Sequence, residues 1–230
     1  MQPTDFLKDG ERLDDLQLDG RFIISNKDKY CFTSDAVMLA NMVTATSKSK
    51  VVDLCTGGGI ISILIALKTN CNNIIGVELQ PDMVDMATRS VQMNNLQDRI
   101  NIVCQDVKNI NQILPSGYAD IVVCNPPYYK LTSGSMRENS NIAIARHEVA
   151  LTLQELVQNT SKILKFGGLF YMVHKADRMA EVITTLTKHN LIPKQIYTIT
   201  TNGSNIVDTF IVISKLGGKH GVIVKNIQHF

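Results

Sequence analysis

The sequence predicts a doubly wound α/β fold, and three observations predict it. From Lys50 onward, short β-branched runs alternate with helical patterns, as in βαβ units feeding a parallel sheet. Three glycines, Gly57-Gly58-Gly59, follow the first run directly and open an apolar helix. Acidic residues stand at the ends of successive strand patterns, where the carboxyl edge of such a sheet collects its ligands.

The first strand is Val51 to Leu54, and Ile60 to Lys68 is the helix behind the glycines. Ile74 to Glu78 follows as a strand. Pro81 sits where a first helical turn tolerates proline, so Pro81 to Asn94 reads as helix, with Met83, Met86 and Met93 on a core-facing stripe. Ile100 to Cys104 and Asp120 to Cys124 are the third and fourth strands. Leu151 to Leu164 reads as a helix closed by Gly167-Gly168, before a fifth strand at Leu169 to Val173. Two further strands, Gln195 to Thr200 and Thr209 to Ile213, flank the turn signal Asn202-Gly203.

The first fifty residues have another pattern. Leu18 to Ser25 and Lys29 to Thr33 alternate around Asn26-Lys27-Asp28 as a hairpin would, and Asp35 to Val43 is a short apolar helix. Residues 1–49 therefore read as a cap on a catalytic domain spanning residues 50–230, with the polar run Ser47 to Lys50 as the joint.

Composition bounds the function. The 230 residues suit one sizeable core, and 44% hydrophobic against 19% charged is ordinary globular usage. A formal charge of +2 does not by itself argue for nucleic acid. Five cysteines without a C-x-x-C pair argue against a zinc ribbon or a disulfide framework and fit a reducing cytoplasm. No signal peptide or membrane span is expected.

Asp53-Leu54-Cys55-Thr56-Gly57-Gly58-Gly59 ends a strand and opens a helix, with glycines where a ligand needs close backbone approach. Gly57, Gly59 and Ser62 match a dinucleotide fingerprint imperfectly, so the glycines alone leave NAD and S-adenosylmethionine open. Asp53, an acid before the glycines, favours the cationic amino group of a methionine moiety over a pyrophosphate. Glu78 is placed to accept hydrogen bonds from two ribose hydroxyls, and Asp106 to reach an adenine amino group. The competing reading makes all three acids helix caps and turn residues.

Asn125-Pro126-Pro127-Tyr128 ends the fourth strand, and two prolines there stop the sheet in a rigid turn. An aromatic amino group is a poor nucleophile because its lone pair is delocalised. Acceptors at Asn125 Oδ1 and the Pro126 carbonyl would draw that lone pair back to nitrogen, and Tyr128 would stack on the base, worth about 1–3 kcal/mol in single-strand sites. Positioning then supplies much of the rate without a metal or a strong base. The same geometry would hold a glutamine amide; a Pro-Pro turn with Tyr128 or Tyr129 in the core is the plainer alternative.

These residues resemble the class I S-adenosylmethionine-dependent methyltransferases, and among them the bacterial tRNA1(Val) adenine-37 N6-methyltransferase family. The resemblance rests on Phe32 to Ala40, Val52 to Ile61, Gly76-Val77-Glu78-Leu79-Gln80, Cys124 to Tyr129 and Ala145-Arg146-His147-Glu148. It implies a Rossmann-like sheet of seven strands with a reversed hairpin at one edge, methyl transfer to adenosine 37 of a tRNA in the cytoplasm, and a pocket lid that includes Asp35. The implied donor site comprises Asp35, Asp53, Thr56, Gly57, Gly59, Glu78, Asp106 and Asn125; the implied catalytic turn is Asn125, Pro126, Pro127 and Tyr128.

RNA contacts are expected from Tyr128, Tyr129, Arg146 and His147, beside a polar loop at Thr132 to Asn141. A solvated helix start is the alternative for Arg146-His147-Glu148. Lys162, Lys165, Lys175, Arg178 and Lys188 read as a solvated surface before a phosphate-binding face, and His174 as a structural histidine. Against the family, the C-terminus past Gly221 to Val224 looks slightly short. A monomer is expected.

Overall fold

The computed structural model describes residues 2–27, 31–126, 151–201 and 205–229. Its centre is an eight-stranded sheet: β3 (Lys50–Leu54), β4 (Asn73–Glu78), β5 (Ile100–Cys104), β6 (Ala119–Cys124), β7 (Leu164–Lys175), β8 (Leu191–Thr201), β9 (Val207–Leu216) and β10 (Ile223–His229). The spatial order is β10-β8-β9-β7-β6-β3-β4-β5, and only β9 runs against its neighbours. The expected parallel sheet with a reversed hairpin is present. An eighth strand, β10, lies outside the hairpin and takes the edge.

Alternation along the strands builds two apolar layers. Val51, Ile121, Val123, Tyr171 and Val173 face helices α1 (Ser34–Met42) and α2 (Ile60–Lys68). Val52, Leu54, Val122, Cys124, Phe170 and Met172 face the opposite layer, which holds α4 (Leu153–Ile163) and α5 (Met179–Lys188). These strands are buried on both sides, which explains why they read as continuous apolar runs rather than alternating ones.

Helix α3 (Pro81–Met93) starts at Pro81, as a proline with no donor to lose should. Met83 and Met86 are buried beneath the N-terminal segment, with Met93 packed beside them. Helix α4 is set by a reciprocal capping box between Thr152 and Glu155. It runs Leu153–Ile163, starting two residues after the expected Leu151 and stopping one short of the expected Leu164. The pair Gly167-Gly168 lies inside β7, where Gly167 has φ 82° and the register with β6 shifts, instead of closing the helix.

The N-terminal hairpin also departs from expectation. Phe22–Ser25 (β2) pairs with Arg12–Asp15 (β1), upstream, and 31–33 are not strand. The turn between them uses left-handed residues Gln17, Asp19 and Gly20 and is closed by Leu16 N–H to the Arg21 carbonyl. The polar run Arg-Leu-Asp-Asp hides β1 from a hydrophobicity pattern, because only Leu13 reaches the small cluster under the hairpin.

Candidate functional site

In sheet order, β3 leads to β4 and β5 in one direction and to β6 and β7 in the other. The carboxyl ends of β3 and β6 therefore flank the topological switch point, where open α/β sheets leave a crevice. Asp53 and the glycine loop leave β3 there, and Asn125-Pro126 leaves β6. The register pairs Asp53 with Val123 and Leu54 with Cys124, so the two motifs lie side by side.

Asp53 is completely buried. Its Oδ2 accepts from the hydroxyls of Thr56 and Ser62, the latter at 2.8 Å, and from the Ser62 N–H at 3.2 Å. Its Oδ1 is buried with no hydrogen-bond partner. Burial pushes the carboxyl up to about 7, against the three donors that lower it. A carboxylate so placed is costly until a cation or a further donor meets it.

Glu78 closes the other side of the loop. Its Oε2 accepts from Gly57 N–H at 2.9 Å, and its Oε1 from Leu79 N–H at 2.9 Å and Gln80 N–H at 3.0 Å. Three of the roughly four acceptor sites of a carboxylate are thus filled from the backbone, leaving room for about one ligand hydroxyl rather than two. Burial raises the Glu78 carboxyl above its usual range.

Two glycines are required by this geometry. Gly59, with φ 88°, starts α2 against Ala87, to which an added Cβ would come within 3.3 Å. Gly76 lets Thr56 lie on β4; a Cβ there would stand 2.7 Å from Ile102 and 3.1 Å from Thr56 Cγ2. Cys55, φ 58°, takes a left-handed conformation without being glycine.

Asp106 caps the short 3-10 turn Val107–Gln112, accepting from Lys108 N–H at 2.9 Å, with the Lys108 ammonium 3.5 Å away. This is the capping role of the competing reading. Asp35 lies half-buried in the first turn of α1, which packs on α2. Asn125 is half-buried and Pro126 buried. Pro127, Tyr128, Tyr129, Arg146, His147, the 132–141 stretch and the turn at 202–204 lie outside the described residues.

His174 is buried, its Nδ1 accepting from Lys175 N–H at 2.9 Å. Burial, with the Arg178 charge, lowers it to about 4, so it is neutral at pH 7. Among the cations considered with it, Lys165 stands apart from Lys175 and Arg178. Lys165, near the start of the twelve-residue β7, pairs with Asp120, whereas Lys175 ends that strand and Arg178 pairs with Glu181 beyond it.

Pattern reading missed two features. Ser62, expected only as the last position of an imperfect dinucleotide fingerprint, is the second brace on Asp53; its polarity inside the apolar run Ile60-Ile61-Ser62-Ile63-Leu64 was the available signal for that role. Arg89, which holds the N-terminal segment through Glu11 and the Phe6 carbonyl, carried no such signal because its partners are 78 and 83 residues away. Among the described residues, no cluster of three or more His, Cys, Asp or Glu could hold a metal ion, and no helix is long and apolar enough to cross a membrane.

The profile of the methyltransferase small domain family matches residues 32–195. The chain belongs to that family. The match takes in α1, the glycine loop, Glu78 and the Asn125 turn, and so the whole of the crevice described above. Among curated relatives, this methyltransferase small domain chain is 26% identical over 162 residues to a tRNA1(Val) (adenine(37)-N6)-methyltransferase of Photobacterium profundum, covering 69% of this chain and 66% of that one. It is 26% identical over 172 residues to a protein of the same name from Bacteroides fragilis, covering 74% and 71%. The first of these alignments spans just under two thirds of the relative's length.

Solved structures agree on the family's fold. A predicted O-methyltransferase from Agrobacterium tumefaciens superposes with TM-score 0.67 at 19% identity, over 84% of this chain and 86% of that one. P. horikoshii TYW2 in complex with MeSAdo superposes with TM-score 0.64 at 16% identity, over 92% and 73%. At such identities the likeness establishes a Rossmann-like methyltransferase fold.

Proposed function

We propose that this chain transfers a methyl group from S-adenosylmethionine to N6 of an adenine in tRNA, at position 37 beside the anticodon of a valine tRNA, in the cytoplasm. The observation that carries the reading is the meeting of two motifs at one switch point. A buried aspartate with an unpartnered oxygen stands one residue before the end of β3, and an Asn-Pro turn follows the neighbouring β6. The names of the relatives supply the substrate, which the geometry alone leaves open between adenine and a glutamine amide.

The residues present fit the donor. Asp53 Oδ1 suits an ammonium group, Glu78 has acceptor capacity left for a ribose hydroxyl, and Gly57 and Gly59 keep side chains out of the approach. A sulfonium donor supplies an electrophilic methyl, so the protein's task is to hold the acceptor nitrogen in line with it. Asn125 Oδ1 and the Pro126 carbonyl are the acceptors for the two amino protons; accepting them localises the lone pair on nitrogen. Pro126, buried and with φ fixed by its ring, keeps that carbonyl in place. Tyr128 stacks on the base, and Tyr129, Arg146 and His147 contact the surrounding RNA. Asp35 closes the donor pocket from α1. An anticodon-loop base can be splayed out at modest cost because it lies in a single strand.

The test is incubation with methyl-labelled S-adenosylmethionine and unmodified bulk tRNA, followed by nucleoside mass spectrometry. Labelled N6-methyladenosine is expected. Label in a protein fraction instead would replace the adenine reading with a glutamine one, and no label anywhere would leave a protein that binds without turnover.

A further inference from the structure

Cys55 and Cys124 stand on either side of the switch point. Cys124 is the last residue of β6, buried completely, and is register partner to Leu54; Cys55 is the next residue on β3's side and the first beyond the ladder. Adjacent strands lie about 4.8 Å apart and successive residues advance about 3.3 Å, which puts the two Cα atoms about 5–6 Å from each other, inside the range a disulfide spans. The left-handed turn at Cys55 brings its side chain into the apolar layer that contains Cys124 rather than the Asp53 layer. The Cys124 thiol is pushed well above the usual range by burial first and then by the neighbouring Cys55 thiol. Both cysteines are reduced, and Cys55 is the half-buried, accessible member.

We propose that Cys55 and Cys124 form a reversible disulfide under peroxide, and that this staple disables the donor loop. A hydroperoxide oxidises the Cys55 thiol to a sulfenic acid, with the peroxide O–O bond broken and water or an alcohol released. Cys124 sulfur then attacks Cys55 sulfur, the S–O bond breaks, the S–S bond forms, and the hydroxyl leaves as water with the Cys124 proton. Two thiols are oxidised and one peroxide is reduced.

The bond draws two sulfurs from contact to about 2.05 Å. Cys124 is held by the ladder on both flanks, pairing with Leu54 and Met172, so the movement falls on Cys55 and on Thr56 beside it. Thr56 donates to Asp53 and its N–H is bound to the Val77 carbonyl, so moving it disturbs the brace on which donor binding depends. That consequence rests on the proposed function; the disulfide itself does not.

The full chain is treated with hydrogen peroxide and digested without reduction for peptide mass spectrometry, while binding of S-adenosylhomocysteine is followed by calorimetry. A Cys55–Cys124 linked peptide is expected, with affinity about tenfold weaker and restored by dithiothreitol. Cys55→Ser and Cys124→Ala should each lose the oxidant sensitivity, whatever affinity they start from. Cys55 found as a sulfinic acid beside a free Cys124 thiol, or linkage confined to Cys31 or Cys104, overturns the disulfide. Linkage with unchanged affinity overturns the disabling effect. If the reduced protein binds no S-adenosylhomocysteine, the donor reading fails while the peptide map still judges the disulfide.

Discussion

The glycine loop after β3 and the N-terminal hairpin both line α3, yet they are held in place by opposite means. The loop is closed by neighbours in sequence or in the adjacent strand: Asp53 to Thr56 and Ser62, Glu78 to Gly57. The hairpin is fastened to α3 by partners far along the chain. Arg89 joins Glu11 at 2.6 Å, Ser90 Oγ accepts from Ile24 N–H at 3.0 Å, and Asn94 Nδ2 donates to the Phe22 carbonyl at 2.7 Å. Damage to the loop should therefore show in ligand binding, and damage to the hairpin in stability.

The largest effect should come from the turn opposite the loop. Asn125→Ala is expected to lower turnover by about 10²–10³, as removal of one aligned polar group does elsewhere, with donor affinity changed less than about threefold. Near-normal single-turnover rates would put the amine clamp elsewhere.

Asp53→Asn should weaken donor binding about a hundredfold, measured by calorimetry at pH 8. It should not destabilise the unliganded protein at that pH. The reason is a sign: the folded Asp53 carboxyl is raised to about 7 from an ordinary 3.8, so its contribution is fully present below 3.8 and is lost as pH rises through about 7. Removing the charge removes that loss. Melting curves of the variant and the parent should diverge at pH 5 and converge or cross at pH 8.

On the hairpin side, Arg89→Ala leaves the Glu11 side chain, only 6% exposed, without its cation, and should cost about 2–3 kcal/mol in chemical unfolding. Lys8→Ala should cost less than about 0.5 kcal/mol, because Lys8 is 60% exposed and its pair with Asp85 is screened. Equal effects from the two would break the distinction between a buried fastening and a surface one. The smallest effect is shared by the whole fold. His174, lowered to about 4 from 6.5, contributes stability that is present above 6.5 and is lost as pH falls through 4. A pH series on His174→Gln should flatten that part of the profile.

The same contrast explains what could be read in advance. Period and punctuation gave β3 to β6, α2 and α3 nearly to the residue, because each is a local consequence of burial on one or both faces. They failed where pairing is remote. β1 is polar and finds its partner through a six-residue turn, β10 is exposed along its outer edge, and Gly167-Gly168 has the same letters whether it ends a helix or bends a strand. The acids were legible as a group; their individual engagement was not, and Glu78 proved to spend three acceptor sites on the backbone.

By itself the sequence determined the α/β class, the order of the first parallel strands, and the presence of a glycine loop and an Asn-Pro turn behind two of them, since propensity and hydrophobic period act over a few residues. Only the tertiary structure decided that β3 and β6 are neighbours at the switch point, that Asp53 keeps one oxygen unpartnered, and that Cys55 faces Cys124. Those facts depend on which strands pair and in what register, and register is a property of contacts made across seventy residues of chain.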